Sequence, residues 1–151
     1  MRHSAPFLVL AGLLTLPAWA ASGFEKPESV QQAALAMMDA LKAGEQAQAR
    51  ELALDFAEWQ SISLRGLDEQ AHERKLARFL GTLAAWFKQG VVLERLDLKD
   101  VLILPRGRKT RRAVHMAVFH AELRGPGKGG EEIVPLLFVE VGGRWKLMLR
   151  D

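Results

Sequence analysis

Apolar residues recur along this chain with two periods, and the period changes once. Val30, Ala33, Ala34, Met37, Met38 and Leu41 fall at helical spacing, with Ser29 where an N-cap belongs and Gly44 where a C-cap belongs. A second stripe, Ala49, Leu52, Ala53, Phe56 and Trp59, predicts a helix over residues 45–59. After a connector at 61–66, a third helix is predicted over 67–88, with Leu76, Phe79, Leu80, Leu83, Trp86 and Phe87 on one broad face and Gly90 ending it. From Val91 the period is two. Leu96, Leu98, Leu102 and Leu104 alternate with charged or β-branched residues, interrupted at Asp100. Residues 105–109 read as a turn, 111–123 as a long strand and 125–130 as a loop. Strands at 133–141 and 144–149 flank Gly142-Gly143, the strongest hairpin signal in the chain. Pro135 lacks a ladder donor and is expected at an edge or a bulge.

Helices first and strands second predict an α+β domain over residues 29–151, three N-terminal helices packed on a curved four-stranded antiparallel sheet. A two-residue hairpin pairs Val141 with Arg144 and Glu140 with Trp145. Leu136, Phe138, Trp145, Leu147 and Leu149 then share one face, the one expected to meet the helices.

The N-terminus changes the setting. Arg2 and His3 precede an apolar run over residues 7–16, then Pro17, then Ala18-Trp19-Ala20, a small-x-small pattern. Residues 1–20 therefore read as a signal peptide cut after Ala20, with 21–28 a loose lead-in. An uncleaved anchor is the rival, because residues 4–24 carry no charge; two prolines and weak apolarity after Leu16 argue against it. Cys is absent, which removes disulfides, thiolate metal sites, a cysteine nucleophile and lipid anchoring through Cys. Arg outnumbers Lys 13 to 8, and Asn is missing. A bacterial periplasmic or secreted address fits these features.

A resemblance rests on Ala40-Leu41-Lys42-Ala43-Gly44 with Ala47, Arg50, Glu51 and Leu52 behind it, then Val134-Pro135-Leu136 and Gly143-Arg144-Trp145-Lys146-Leu147. In this order of elements the chain resembles the nuclear transport factor 2-like (cystatin-like cone) superfamily, nearest to its small exported bacterial domains of unknown function, some described as lumazine-binding-like. The resemblance implies a cone with a pocket between helices and sheet. It implies no single activity, since this superfold carries enzymes, binders and dimerisation modules.

Candidate chemistry is sparse. His115 and His120 are an odd number of residues apart on one predicted strand, so they face opposite ways and cannot share a metal. No metal site and no cofactor are expected. His120 is a candidate pocket acid or base if its register faces the helices; the bland rival is a hydrogen-bonded core or edge histidine. His72 lies among charged residues and is expected to be solvated. Cone-fold isomerases and dehydratases commonly use a phenolic proton donor, and this chain has no Tyr. Asp55, Glu58, Asp97 and Asp100 are expected as ion-paired surface positions. Trp59, Trp86, Phe87, His120, Phe138 and Trp145 are the candidate ligand-pocket set.

The charge pattern is sharper. Arg106, Arg108, Lys109, Arg111 and Arg112 crowd into seven residues with no acid among them. Residues 21–90 carry 8 basic and 10 acidic side chains, whereas 91–151 carry 12 and 8, a polarised distribution. The run is either an anion contact, including an anionic membrane surface, or a solvated turn guarding a strand edge. No aromatic interleaves it, which argues against nucleic acid. The leading expectation is an exported non-enzymatic domain binding a small apolar ligand or an envelope protein partner, with a homodimer through the sheet as a further option. The alternatives are an envelope adaptor acting through residues 106–112 and a small cone-fold isomerase, lyase or hydrolase.

Overall fold

The computed structural model describes residues 27–126 and 130–149. The expected signal peptide, its cleavage site, most of the lead-in and the centre of the glycine loop lie outside these residues. Among the described residues four helices precede four strands: α1 (Pro27–Lys42), α2 (Gln46–Glu51), α3 (Phe56–Ile62), α4 (Glu69–Lys88), β1 (Val92–Leu104), β2 (Val114–Arg124), β3 (Glu131–Val141) and β4 (Arg144–Met148). The strands form one antiparallel meander in the order β1-β2-β3-β4. The class is α+β, as the change of period predicts. Among the described residues no helix is long and apolar enough to cross a membrane.

Two differences concern the helices. α1 already contains Ser29, so that residue is not its cap. The predicted helix at 45–59 is two helices with an extended break. The N–H of Leu54 donates to the Leu147 carbonyl at 2.9 Å, and the N–H of Leu147 donates to the Leu52 carbonyl at 2.9 Å. The outer edge of β4 thus captures residues 52–54 as a short parallel bridge. α3 restarts with a capping box, in which the Asp55 carboxylate accepts from the Glu58 N–H and the Glu58 carboxylate accepts from the Asp55 N–H.

Turn chemistry is as the sequence requires. Gly44 (φ +75°) closes α1, with the Glu45 N–H reaching the Ala40 carbonyl at 2.8 Å, a Schellman geometry. Gly142 and Gly143 both hold positive φ, the signature of a type I′ hairpin, and Val141 pairs with Arg144.

Both sheet faces are used. Ala117, Phe119, Ala121 and Leu123 of β2 join Leu136, Phe138 and Leu147 in a core covered by α1 and α4. Phe119 and Phe138 meet edge to face at 5.7 Å. At the β1–β2 turn end, Val114, Met116 and Val139 point the other way and are covered by Leu54, Trp59 and Ile62. α3 is therefore a lid on the far face, not part of the main helical layer. Lys146 of β4 fastens it there through a 2.9 Å contact with Glu58.

Candidate functional site

β4 is shorter than β3, and that inequality leaves an apolar concavity beside the β3 edge. The last β3–β4 pair is Leu137 with Met148. The turn makes Val141–Arg144 a hydrogen-bonded pair, and such pairs alternate. The peptide groups of Val139 and Leu137 therefore face β4. Beyond its end, those of Pro135, Ile133 and Glu131 face an edge that no strand covers among the described residues. Pro135 sits where its missing N–H costs no ladder bond, which is the edge placement its chemistry demands.

α4 runs alongside this edge. Lys75, Arg78, Phe79, Thr82, Leu83 and Trp86 recur at three- and four-residue spacing and line one wall of a groove of about 440 Å³. Ile133, Val134 and Pro135 form the facing wall, with Ile133 54% exposed. A second compartment of about 280 Å³ shares Lys75, Phe79, Val134 and Pro135 and continues toward Leu147 and Leu149. Lys75 and Arg78 have no ion-pair partner among the described residues. The one acid lining the larger compartment is Glu132, on the strand wall.

A polar cluster built around one buried histidine lies elsewhere. His72 is 3% exposed, against the expectation of a solvated side chain. It follows the i, i+4, i+8 stripe with Leu76 and Leu80 on α4, and its ring packs on Trp59 at 5.4 Å and Phe56 at 5.9 Å. Nδ1 is 3.8 Å from the Glu73 carboxylate and makes no hydrogen bond. Burial holds the His72 pKa below 6.5, against the raising influence of Glu73. Glu73 is gripped by Arg50 of α2, whose Nε donates to Oε2 at 3.0 Å and whose second nitrogen takes Oε1. That hydrogen bonding holds the Glu73 carboxyl below its usual range. The cluster ties α2, α3 and α4 together, with His72 buried against two aromatic rings and the Glu73 carboxylate 42% exposed at its outer edge.

The six candidate pocket residues do not converge. Trp59 belongs to the α3 side of the sheet and Phe138 to the centre of the main core. Trp86 lines the groove, while Phe87 and Trp145 are half-buried against the main core. His120 pairs with Asp97 and Pro135 and shares its register with Met116 and Val118. That face is turned away from α1 and α4, so His120 is not a group of the helix-covered side. His115 lies on the opposite face, 3.6 Å from Glu140. Asp97 meets Arg95 at 2.8 Å and Lys99 at 3.7 Å, as its polar-face register implies. Glu58 pairs with Lys146 but, like Asp55, serves first as a helix cap. Among the described residues no three His, Asp or Glu side chains gather as a metal site requires.

The basic turn is not uniformly solvated. Thr110 is buried, its hydroxyl donating to the Pro105 carbonyl at 2.6 Å and its backbone bridging Ser63. Arg111 donates through Nε to the carbonyls of Gln60 (2.9 Å) and Ser63 (3.0 Å), capping the C-terminus of α3. All five cations of the run are exposed, and Arg111 alone among them also bonds the α3 carbonyls. No family model, no curated protein and no solved structure matches the chain.

Proposed function

We propose that the chain is an exported, non-enzymatic binding domain whose α4–β3 groove holds an elongated apolar guest with an acidic head. One observation carries this reading: an apolar trough of ligand size bears two cations at its rim that lack ion-pair partners among the described residues. Lys75 and Arg78 stand one turn apart, where like charges repel by a few tenths of a kcal/mol, and an anion between them relieves that repulsion. Phe79, Trp86 and Ile133 supply the surface for the tail. Export rests on the pattern of residues 1–20, and kinship with the nuclear transport factor 2-like superfamily on the residues that carry that resemblance.

A medium-chain fatty acid bearing a fluorescent reporter tests the proposal. Saturable one-to-one binding is expected. Ile133→Asp places a second carboxylate on the strand wall and should abolish it, and joint reversal of Lys75 and Arg78 to Glu should do the same. Wild-type protein without saturable binding, or variants that bind as well as wild type, would overturn it. The open β3 edge favours a second reading, a partner strand added at residues 131–135. In that case the fatty acid fails, while protection of the Ile133 amide from hydrogen exchange appears on adding the partner.

A further inference from the structure

The sheet has a second distinctive end. β1 and β2 turn at residues 105–113, β3 and β4 turn at 142–143, and the antiparallel order puts both turns at the same end. Arg106, Arg108, Lys109 and Arg112 project from the first turn and Arg144 from the second, all exposed and none in an ion pair among the described residues. Two exposed aliphatic side chains accompany them. Leu64 is 44% exposed, and its N–H donates to the Lys109 carbonyl at 3.0 Å. Ile103, also 44% exposed, lies two residues before Pro105. The acid of β3 at this end, Glu140, is 30% exposed and lies 3.6 Å from His115 Nδ1, so one negative charge stands against the five cations.

We propose that this end docks on an anionic phospholipid bilayer, the cations meeting headgroup phosphates and Leu64 and Ile103 entering the interface. A merely solvated turn needs no fastening. This one is bolted to α3 by Thr110 and Arg111, and the Arg111 N–H also reaches the Ile62 carbonyl at 2.6 Å. Its cations are therefore presented on an ordered platform, and little conformational freedom remains to be lost on contact. The cations are spread over two turns rather than gathered around one concavity, which suits an array of phosphates better than a single soluble anion. Charge with adjacent aliphatic side chains is the combination that holds peripheral proteins at a membrane interface. The groove lies toward the opposite end of β3, some eight residues or about 27 Å along the strand, so docking leaves its mouth clear.

The test uses the full chain with vesicles of phosphatidylcholine, with and without phosphatidylglycerol. Cosedimentation is expected only with phosphatidylglycerol and should fall steeply as salt rises through ~0.1 M, where charges are screened within about 10 Å. Replacing Arg106, Arg108, Lys109 and Arg112 with Gln should weaken partitioning by roughly 100-fold or more, since each basic residue near the surface contributes about a factor of five, with the melting temperature unchanged. Leu64→Ser with Ile103→Ser should lose roughly tenfold through the apolar contribution alone. Absence of cosedimentation at low salt, equal binding to phosphatidylcholine alone, or full binding by either variant overturns the proposal. If the fourfold variant fails to fold, the salt dependence of the wild-type protein and the two-Ser variant still decide it. Neither result depends on the fatty-acid assay, so this surface and the groove stand or fall separately.

Discussion

Trp59 and Trp145 make a matched pair for testing how the two sheet faces are covered. Trp59 is 3% exposed and contacts Phe56 at 6.1 Å and His72 at 5.4 Å. Trp145 is half-buried at the rim of the main core. Truncating a buried Trp to Ala costs roughly 3–5 kcal/mol, and the ring contacts of Trp59 add about 0.5–1 kcal/mol. Trp145 keeps a minor part of its surface in water, so its truncation should cost less, roughly 2–4 kcal/mol on the same scale. Against a total stability of about 5–15 kcal/mol, Trp59→Ala removes about a quarter or more and should lower the melting temperature by roughly 10–20 °C. Urea unfolding followed by far-ultraviolet circular dichroism reads both variants, with an unchanged slope identifying a true stability loss. Equal costs, or a larger cost for Trp145→Ala, would mean that α3 is not a packed lid and that the hairpin carries the greater burial.

Three further outcomes follow from the polar contacts. The His72 pKa lies below 6.5 in the fold, so the unfolded chain takes the proton first on acidification: stability is full above 6.5, declines as pH falls from there through the folded pKa, and His72→Leu should flatten that part of a urea-midpoint profile. Arg111→Ala should cost about 1–2 kcal/mol through the orphaned carbonyls of α3, while Arg108→Ala stays within about 0.5 kcal/mol, both read by thermal melting. Asp55→Ala should cost about 0.5–2 kcal/mol by removing the cap of α3; adding Glu58→Ala should cost less than the sum of the two, since one capping box is lost in both cases.

Local signals account for most of the architecture. The Gly142-Gly143 turn, the alternation in β2 and β3, and the apolar stripe of α4 each depend on neighbours within a few residues, and each is legible in the chain. The break at residues 52–54 is not, because its cause is the edge of β4, far away in sequence; the Asp55-x-x-Glu58 capping box was the local sign of a new helix start. His72 was legible in principle, lying four and eight residues before Leu76 and Leu80, but the charges around it obscure the stripe. His120 shows a limit of alternation: the period fixes that two faces exist, and only the helices decide which one they cover. The groove is invisible to pattern reading, since it arises from where β4 stops relative to β3. Within the basic run, the burial of Thr110 and the bonds of Arg111 to the α3 carbonyls depend on the C-terminus of α3, a contact no spacing rule encodes.

The clip between residues 52–54 and β4 also constrains the order of events in folding. Strands β1 to β4 form a meander of neighbours, and α1 and α2 are joined by a tight turn, so much of each half is local. The halves are closed by the last strand: Lys146 reaches Glu58 across 88 residues, and Leu147 bonds on both sides to Leu52 and Leu54. Such long-range closure comes late and slowly, because the loop entropy is lost before the contacts form. A chain emerging N-terminus first lacks the strand that organises residues 52–54 and anchors α3 until residues 144–148 appear. Its helical half stays unlatched throughout that time, which keeps the polypeptide threadable for any machinery that moves unfolded chains.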